Sequence, residues 1–132
     1  MKYMLDTDTC IYTIKNNPSK VKLRVMQKEP GDICISAITY AELVNGAEKS
    51  QNRIKNRIAL NMFIADFKVI DFDVAAAESY GEIRSKLERR GETIGPNDLL
   101  IAVHAKSLGL TLVTNNTREF GRVDGLEIEN WT

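Results

Sequence analysis

Short apolar runs that stop on a small or acidic polar residue recur along this chain, and the stretches between them have helical periodicity. Tyr3-Met4-Leu5 stops at Asp6, Ile33-Cys34-Ile35 at Ser36, and Leu110-Thr111-Leu112-Val113 at Thr114, with Val69-Ile70 as a further short run. Each is too short for a helix and suits a buried strand. Strands separated by helical crossovers imply a parallel sheet with right-handed connections and helices on both faces. The expected fold class is α/β: a three-layer α/β/α arrangement around a central, mainly parallel sheet of about four to five strands, the last and weakest being Leu126 to Glu129.

With 132 residues, residues 1–132 are expected to form one domain able to bury roughly two-thirds of its unfolded surface. No segment approaches the roughly 20 apolar residues of a membrane span, and Met1-Lys2-Tyr3 leads directly into a strand rather than a signal peptide. A cytoplasmic protein is the expectation. Cys10 and Cys34 both sit in apolar surroundings and read as reduced core residues. The 18 basic and 18 acidic residues cancel, so no global charge steers the chain toward polyanions. Cations nevertheless gather in Lys20, Lys22, Arg24 and Lys28, in Lys49, Arg53, Lys55 and Arg57, and in Arg84, Lys86, Arg89 and Arg90. Such runs are usually solvated helix faces, but if the acids converge in one pocket the remaining surface becomes basic enough for a nucleic acid.

Between the strands, Thr9 to Lys15 fits a short helix, and Asn17 as N-cap with Pro18 at the first helical position fits the start of a second. Thr39 followed three residues later by Glu42 reads as a capping box. Arg53 to Lys68 carries Ile54, Ile58, Ile64 and Phe67 near a 3.6-residue period. Asp73 fits the cap of a helix ending in Arg89-Arg90-Gly91, with cations at the negative helix end. The turn Gly95-Pro96-Asn97-Asp98 feeds an apolar helix, Leu99 to Leu108, closed by Gly109. His104, inside that helix, reads as a core residue.

The polar residues that fall at carboxyl ends of strands, or in the first turn after them, are Asp6, Thr7 and Asp8; Ser36 and Glu42; Asn97 and Asp98; and Thr114, Asn116 and Glu119. That edge is where open α/β sheets place their sites. Each acid also has a structural explanation. Asp8 or Thr9 could start the next helix, Glu42 could complete its capping box, and Asp98 is favoured by the helix dipole. If three carboxylates do converge, protonation or a bound cation must relieve their repulsion. Oxygen ligands without His or Cys suit Mg²⁺ or Mn²⁺, which activate water and clamp phosphoryl oxygens.

Met4-Leu5-Asp6-Thr7-Asp8, the run Ser36 to Leu43 with Gly46, Gly95-Pro96-Asn97-Asp98 with its apolar helix, and Val113 to Phe120 together resemble the PIN domain, in order and spacing, over essentially the whole chain. Within that family the likeness is to ribonuclease toxins of the VapC type, from type II toxin–antitoxin pairs. The resemblance implies a Mg²⁺- or Mn²⁺-dependent endoribonuclease, a homodimer held inactive by a cognate antitoxin, with the anticodon loop of initiator tRNA as an expected target. It makes Asp6 and Asp98 the principal metal ligands and Glu42 a third, orienting water, with Thr7 and Thr114 in support. Asp8 stands where asparagine is common, and Asn116 where many relatives carry a fourth acid, a gap that Glu119 could fill.

Two rival readings remain. Asp6-Thr7-Asp8-Thr9 also fits the nucleophile motif of haloacid-dehalogenase-like phosphatases, with Asp6 attacking phosphorus and Asp8 as acid/base; Pro96 and an unused Glu42 count against it. A non-catalytic binding module would use the acids only as caps. On the nuclease reading, Arg84 and Arg89 are the first candidates for RNA binding, an inserted Arg or Lys is how an antitoxin would cover the acids, and Met62 and Phe63 are candidates for antitoxin binding or self-association.

Overall fold

The computed structural model describes every residue from Met1 to Thr132. Strand β1 (Tyr3–Leu5) leads into helices α1 (Thr7–Lys15) and α2 (Ser19–Met26), and a 3-10 turn at Pro30–Asp32 delivers β2 (Ile33–Ser36). Helices α3 (Ala37–Glu48) and α4 (Arg53–Ile64) cross to β3 (Lys68–Ile70), and α5 (Val74–Arg89) and α6 (Pro96–Ser107) return to β4 (Thr111–Val113). A single turn of helix, α7 (Thr117–Phe120), precedes β5 (Ile128–Glu129). The five strands are ordered β3-β2-β1-β4-β5 and every pair is parallel. The expected α/β/α layering is met, with the weak last run as the fifth strand.

Alternation along the strands divides the core in two, because successive side chains in a strand face opposite ways. Met4, Cys34 and Leu112 point to one side and pack with Leu87 of α5, with Leu99, Ile101, Ala102, Val103 and Ala105 of α6, and with Phe120. Leu5, Ile33, Ile35 and Val113 point to the other and pack with Cys10, Val21, Val25, Leu43, Leu60 and Trp131. Burial of each Leu, Ile or Val contributes roughly 1.5–3 kcal/mol, so both layers are held by the same two-residue period that makes the strands recognisable. Cys10 and Cys34 are free and buried. No helix is long and apolar enough to cross a membrane.

The order of strands fixes where a site can form. Crossovers from β1 to β2 and from β2 to β3 run one way along the sheet, and the α5–α6 crossover runs back past β1 to β4. The direction of winding therefore reverses between β1 and β4, and a crevice opens at the carboxyl ends of strands where it does so. Asp6 ends β1 and Thr114 ends β4, so both stand at that crevice.

Several helix starts differ from the sequence expectation. Asp6 itself, not a later residue, caps α1, its Oδ1 accepting the Thr9 N–H at 2.8 Å. Helix α2 begins at Ser19 with Pro18 in the cap position and no side-chain cap, so Asn17 caps nothing. Helix α3 starts at Ala37, where Ser36 Oγ accepts the Ile38 N–H at 3.1 Å. Thr39 is then already helical and fully buried, so the expected Thr39–Glu42 capping box does not form. Asp73 does cap α5, accepting the Ala76 N–H at 2.9 Å.

Candidate active site

With Ser36 capping α3, Glu42 is free to turn toward the crevice, and its two oxygens are engaged there by residues far away in sequence. Oε1 accepts the Thr7 hydroxyl, and Oε2 accepts the Asn97 amide at 3.2 Å. Thr7 Oγ1 also lies 3.4 Å from Thr39 Oγ1. The start of α1, the second turn of α3 and the first turn of α6 are thus joined directly through one carboxylate. Sequence alone counts Asn97 among the polar residues at this edge without giving it a role, and assigns Thr39 only to a helix cap. Their only signal is position, Asn97 beside Asp98 at a helix start and Thr39 one turn ahead of Glu42.

Asp98 occupies the first turn of α6, half-buried. Burial pushes its carboxyl up from 3.8 to about 6, and the charges of Glu119, Glu42, Asp6 and Asp8 push in the same direction. Asp6 is 4% exposed. Its carboxyl is likewise raised, chiefly by burial, against the opposing hydrogen bonds from Thr114 and Thr9 and with a further push from Asp8. None of Asp6, Glu42, Asp98 and Glu119 takes part in an ion pair. The crevice is an acidic site without a counter-charge, and two of its carboxyls hold protons more tightly than usual as a result.

Glu119 is tied in from α7. Its Oε1 accepts the Gly95 N–H at 3.0 Å and its Oε2 accepts the Asn116 amide at 3.1 Å. A Cβ on Gly95 would lie 3.7 Å from Glu119 Oε1 and 3.8 Å from Asp98 Oδ2, so both carboxylates border the same small volume. Thr114 is fully buried, its Oγ1 accepting the Asn116 N–H at 3.0 Å. Asn116 thus hydrogen-bonds Glu119, whose charge reaches Asp98.

No three His, Cys, Asp or Glu side chains stand in position to hold one ion between them, so the expected direct set of Asp6, Glu42 and Asp98 is not a ready-made three-carboxylate cage. The donors nevertheless fit a hard divalent cation. They are oxygens only, their charge is uncompensated, and Mg²⁺ commonly binds through one or two carboxylates while keeping several waters. Asp98 has both oxygens free for this, whereas Asp6 already accepts from Thr9 and Thr114 and both oxygens of Glu42 are engaged.

The remaining candidates lie outside the crevice. Arg84 and Arg89 are exposed on α5, Arg84 bonded to the Tyr80 hydroxyl at 2.6 Å and Arg89 to the Ser85 hydroxyl at 3.0 Å. Met62 is exposed on α4, in line with Ile54 and Ile58. Phe63 is not; it is half-buried in an edge-to-face contact with Phe67, with ring centroids 5.0 Å apart. His104 is a core residue, its Nδ1 2.9 Å from Ser36 Oγ and its Nε2 without a partner.

Comparison with known proteins gives one consistent answer. A family model describing the PIN domain matches residues 3–126. Over 132 residues, 100% of this chain and 99% of the other, the chain is 49% identical to a Shigella flexneri protein named tRNA(fMet)-specific endonuclease VapC. Among solved structures it resembles DNA-bound VapBC from Salmonella typhimurium, with a TM-score of 0.95 and 47% identity over 100% of this chain and 99% of that one. It also resembles VapBC2 from Rickettsia felis bound to a promoter DNA fragment, with a TM-score of 0.94 and 41% identity over the full length of both.

Proposed function

This chain belongs to the PIN-domain family, and from that premise we propose that it is the toxin of a type II toxin–antitoxin pair, an endoribonuclease that hydrolyses a phosphodiester bond in tRNA with the help of Mg²⁺ or Mn²⁺. The observation that carries the chemistry is the meeting of Asp6, Glu42, Asp98 and Glu119, from four separate elements, with no cation of the protein's own among them. The observation that carries the substrate is full-length identity to an endonuclease named for tRNA(fMet).

A divalent cation bound there would stabilise charge on the phosphoryl oxygens and acidify a water for attack. Asp6 and Asp98 would hold it, and its charge would relieve the repulsion that raises the Asp98 carboxyl. Glu42, fixed at both oxygens by Thr7 and Asn97, would orient the attacking water by accepting its hydrogen bond. The Thr114 hydroxyl keeps the Asp6 carboxyl in place, and the Asn116–Glu119–Gly95 bridge sets the start of α6 so that Asp98 faces the crevice. Arg84 and Arg89 give the RNA its first cations outside the acidic zone.

The partner on this reading is an antitoxin that covers the crevice with a basic side chain meeting the acids; the solved structures this chain resembles are named as VapBC assemblies. The exposed stripe of Ile54, Ile58 and Met62 on α4 is available to the antitoxin or to a second copy in a homodimer. The phosphatase reading is set aside. Asp6 is too enclosed for in-line attack, and its Oδ1 is occupied as a helix cap. Nor do the acids act only as caps, since neither Glu42 nor Asp98 caps a helix.

Incubating the purified chain with total tRNA and Mn²⁺, then mapping fragment ends, tests the proposal. Cleavage should cluster at one loop position and fall by about 100-fold or more in Asp98→Asn, the loss expected when a group stabilising the transition state is removed. Intact tRNA after incubation with the parent chain, or undiminished cleavage by a folded Asp98→Asn protein, overturns it.

A further inference from the structure

A ribonuclease whose reacting centre is wholly acidic repels the backbone it must cut, so its hold on the substrate has to come from groups just outside the crevice. One such place adjoins the start of α6. A groove of about 210 Å³ runs between α5 and the segment leading into α6, lined by Tyr80, Arg84, Leu87, Ile94, Pro96 and Leu99, among others. Its floor, Leu87 and Leu99, is buried in the core. Its far wall, Pro96, is the first residue of α6, two positions ahead of Asp98.

The outer wall is a hydrogen-bonded pair. The Arg84 guanidinium carbon lies 5.7 Å from the centroid of the Tyr80 ring, while its Nη1 donates to the Tyr80 hydroxyl at 2.6 Å and its Nε lies 3.6 Å from Glu88 Oε2. Two flat groups are therefore held in place before anything binds, which lowers the ordering cost of binding a third. A flat apolar surface edged by one cation and floored by leucines suits a nucleobase. Unstacked bases in RNA loops are recognised by stacking on aromatic rings and on guanidinium planes. A phosphate alone would be poorly served here, because Glu88 faces the same guanidinium.

We propose that Tyr80 and Arg84 form a stacking platform for one unpaired nucleobase next to the scissile bond, and so contribute to choosing a single-stranded loop as substrate. The inference rests on the nuclease reading above and extends it to substrate choice. Tyr80 and Arg84 bind the substrate and take no part in the chemical step.

The test uses the full-length chain, Mn²⁺ and a synthetic anticodon stem-loop of initiator tRNA, either intact or with single abasic nucleotides placed in turn around the loop. The Tyr80→Ala variant should raise KM by about 10- to 100-fold, the range for losing one base–aromatic stack, with kcat nearly unchanged. Tyr80→Phe, which keeps the ring, should restore most of the affinity. One abasic position should lower affinity for the parent chain and have little further effect on Tyr80→Ala. An unchanged KM in Tyr80→Ala overturns the platform while leaving the nuclease reading intact. So does an abasic penalty of equal size in the parent and Tyr80→Ala, or a loss of affinity accompanied by a smaller oligomer on sedimentation. No cleavage of the intact loop or of total tRNA by the parent chain overturns both.

Discussion

Asp98 illustrates how a carboxyl crowded among other carboxylates destabilises the fold that carries it. Its carboxyl is raised from 3.8 to about 6 by burial and by the neighbouring carboxylates. The unfolded chain therefore releases this proton first as pH rises, and the folded state is progressively disfavoured from about pH 4 to about pH 6, then by a constant amount above that. At about 1.36 kcal/mol per pKa unit the full effect would approach 3 kcal/mol, and solvent screening of this half-exposed group reduces it to about 1 kcal/mol. Without divalent ions, Asp98→Asn should accordingly be more stable than the parent by about 1 kcal/mol at pH 7.5, with the difference fading below about pH 4. Urea unfolding at the two pH values measures it, and an Asp98→Asn variant less stable than the parent at pH 7.5 would contradict it. Adding Mn²⁺ should reverse the order, because a ligand that binds only the folded parent adds about 2.7 kcal/mol at 100 times its Kd. At this same scale, Glu42 shows what local sequence conceals. Thr39 and Glu42 have capping-box spacing, but Ser36 offers an equally good acceptor three residues earlier, and burial of the Thr39 side chain decides between the two starts. The bond from Asn97 to Glu42 spans 55 residues, and no periodicity encodes it.

Among the elements, the connection from α5 to α6 does most to place the site, and it is tied down by polar bonds as well as by the packing of Ile94 against the core. Arg90 bonds Asp124 at 2.7 Å and the Arg122 carbonyl at 2.8 Å; Arg122 in turn donates to the Thr93 carbonyl at 2.6 Å; and the Gly95 N–H meets Glu119 at 3.0 Å. These rungs join the segment ahead of Asp98 to the β4–β5 connection, and all lie at the exposed surface, where such bonds add little to global stability. Their effect is on position. Arg122→Ala should leave the melting temperature nearly unchanged while speeding amide exchange at Gly95 and lowering kcat by about 10-fold, since small displacements at a reacting centre are costly. If exchange at Gly95 stays slow, the rungs do not hold the loop. The elements themselves are largely readable from sequence. The strands are short apolar runs with polar stops. Gly91 at φ 67° and Gly109 at φ 68° end α5 and α6 where glycine punctuation predicts. The helix starts are less so, because Asp6, Asn17, Ser36 and Thr39 are all competent caps and only the path of the chain selects among them.

For the molecule as a whole, a net charge of zero conceals a partition. Asp6, Asp8, Glu42 and Glu119 all lie within electrostatic reach of Asp98 in the crevice. Setting those acids aside leaves a surface with an excess of Lys and Arg, of which Arg84, Arg89 and Lys86 stand exposed on α5, the helix that leads toward α6. An RNA strand crossing the crevice would meet repulsion at the centre and attraction along α5, so binding would depend on cations screened independently of the chemistry. For single-stranded contacts the logarithm of affinity falls with the logarithm of salt at a slope of about −0.7 per phosphate engaged, so two to four such contacts give roughly a 7- to 50-fold weakening between about 50 and 200 mM salt. KM for the anticodon stem-loop should rise by that amount across this range at constant Mn²⁺, with kcat little changed. Arg89→Ala should flatten the slope by about one phosphate's worth. Tyr80→Ala should weaken binding at every salt concentration and leave the slope alone, because a stacked base carries no charge to be screened. A KM insensitive to salt would mean that the flanking cations do not touch the substrate, and the acidic crevice would then have to be approached by some other face.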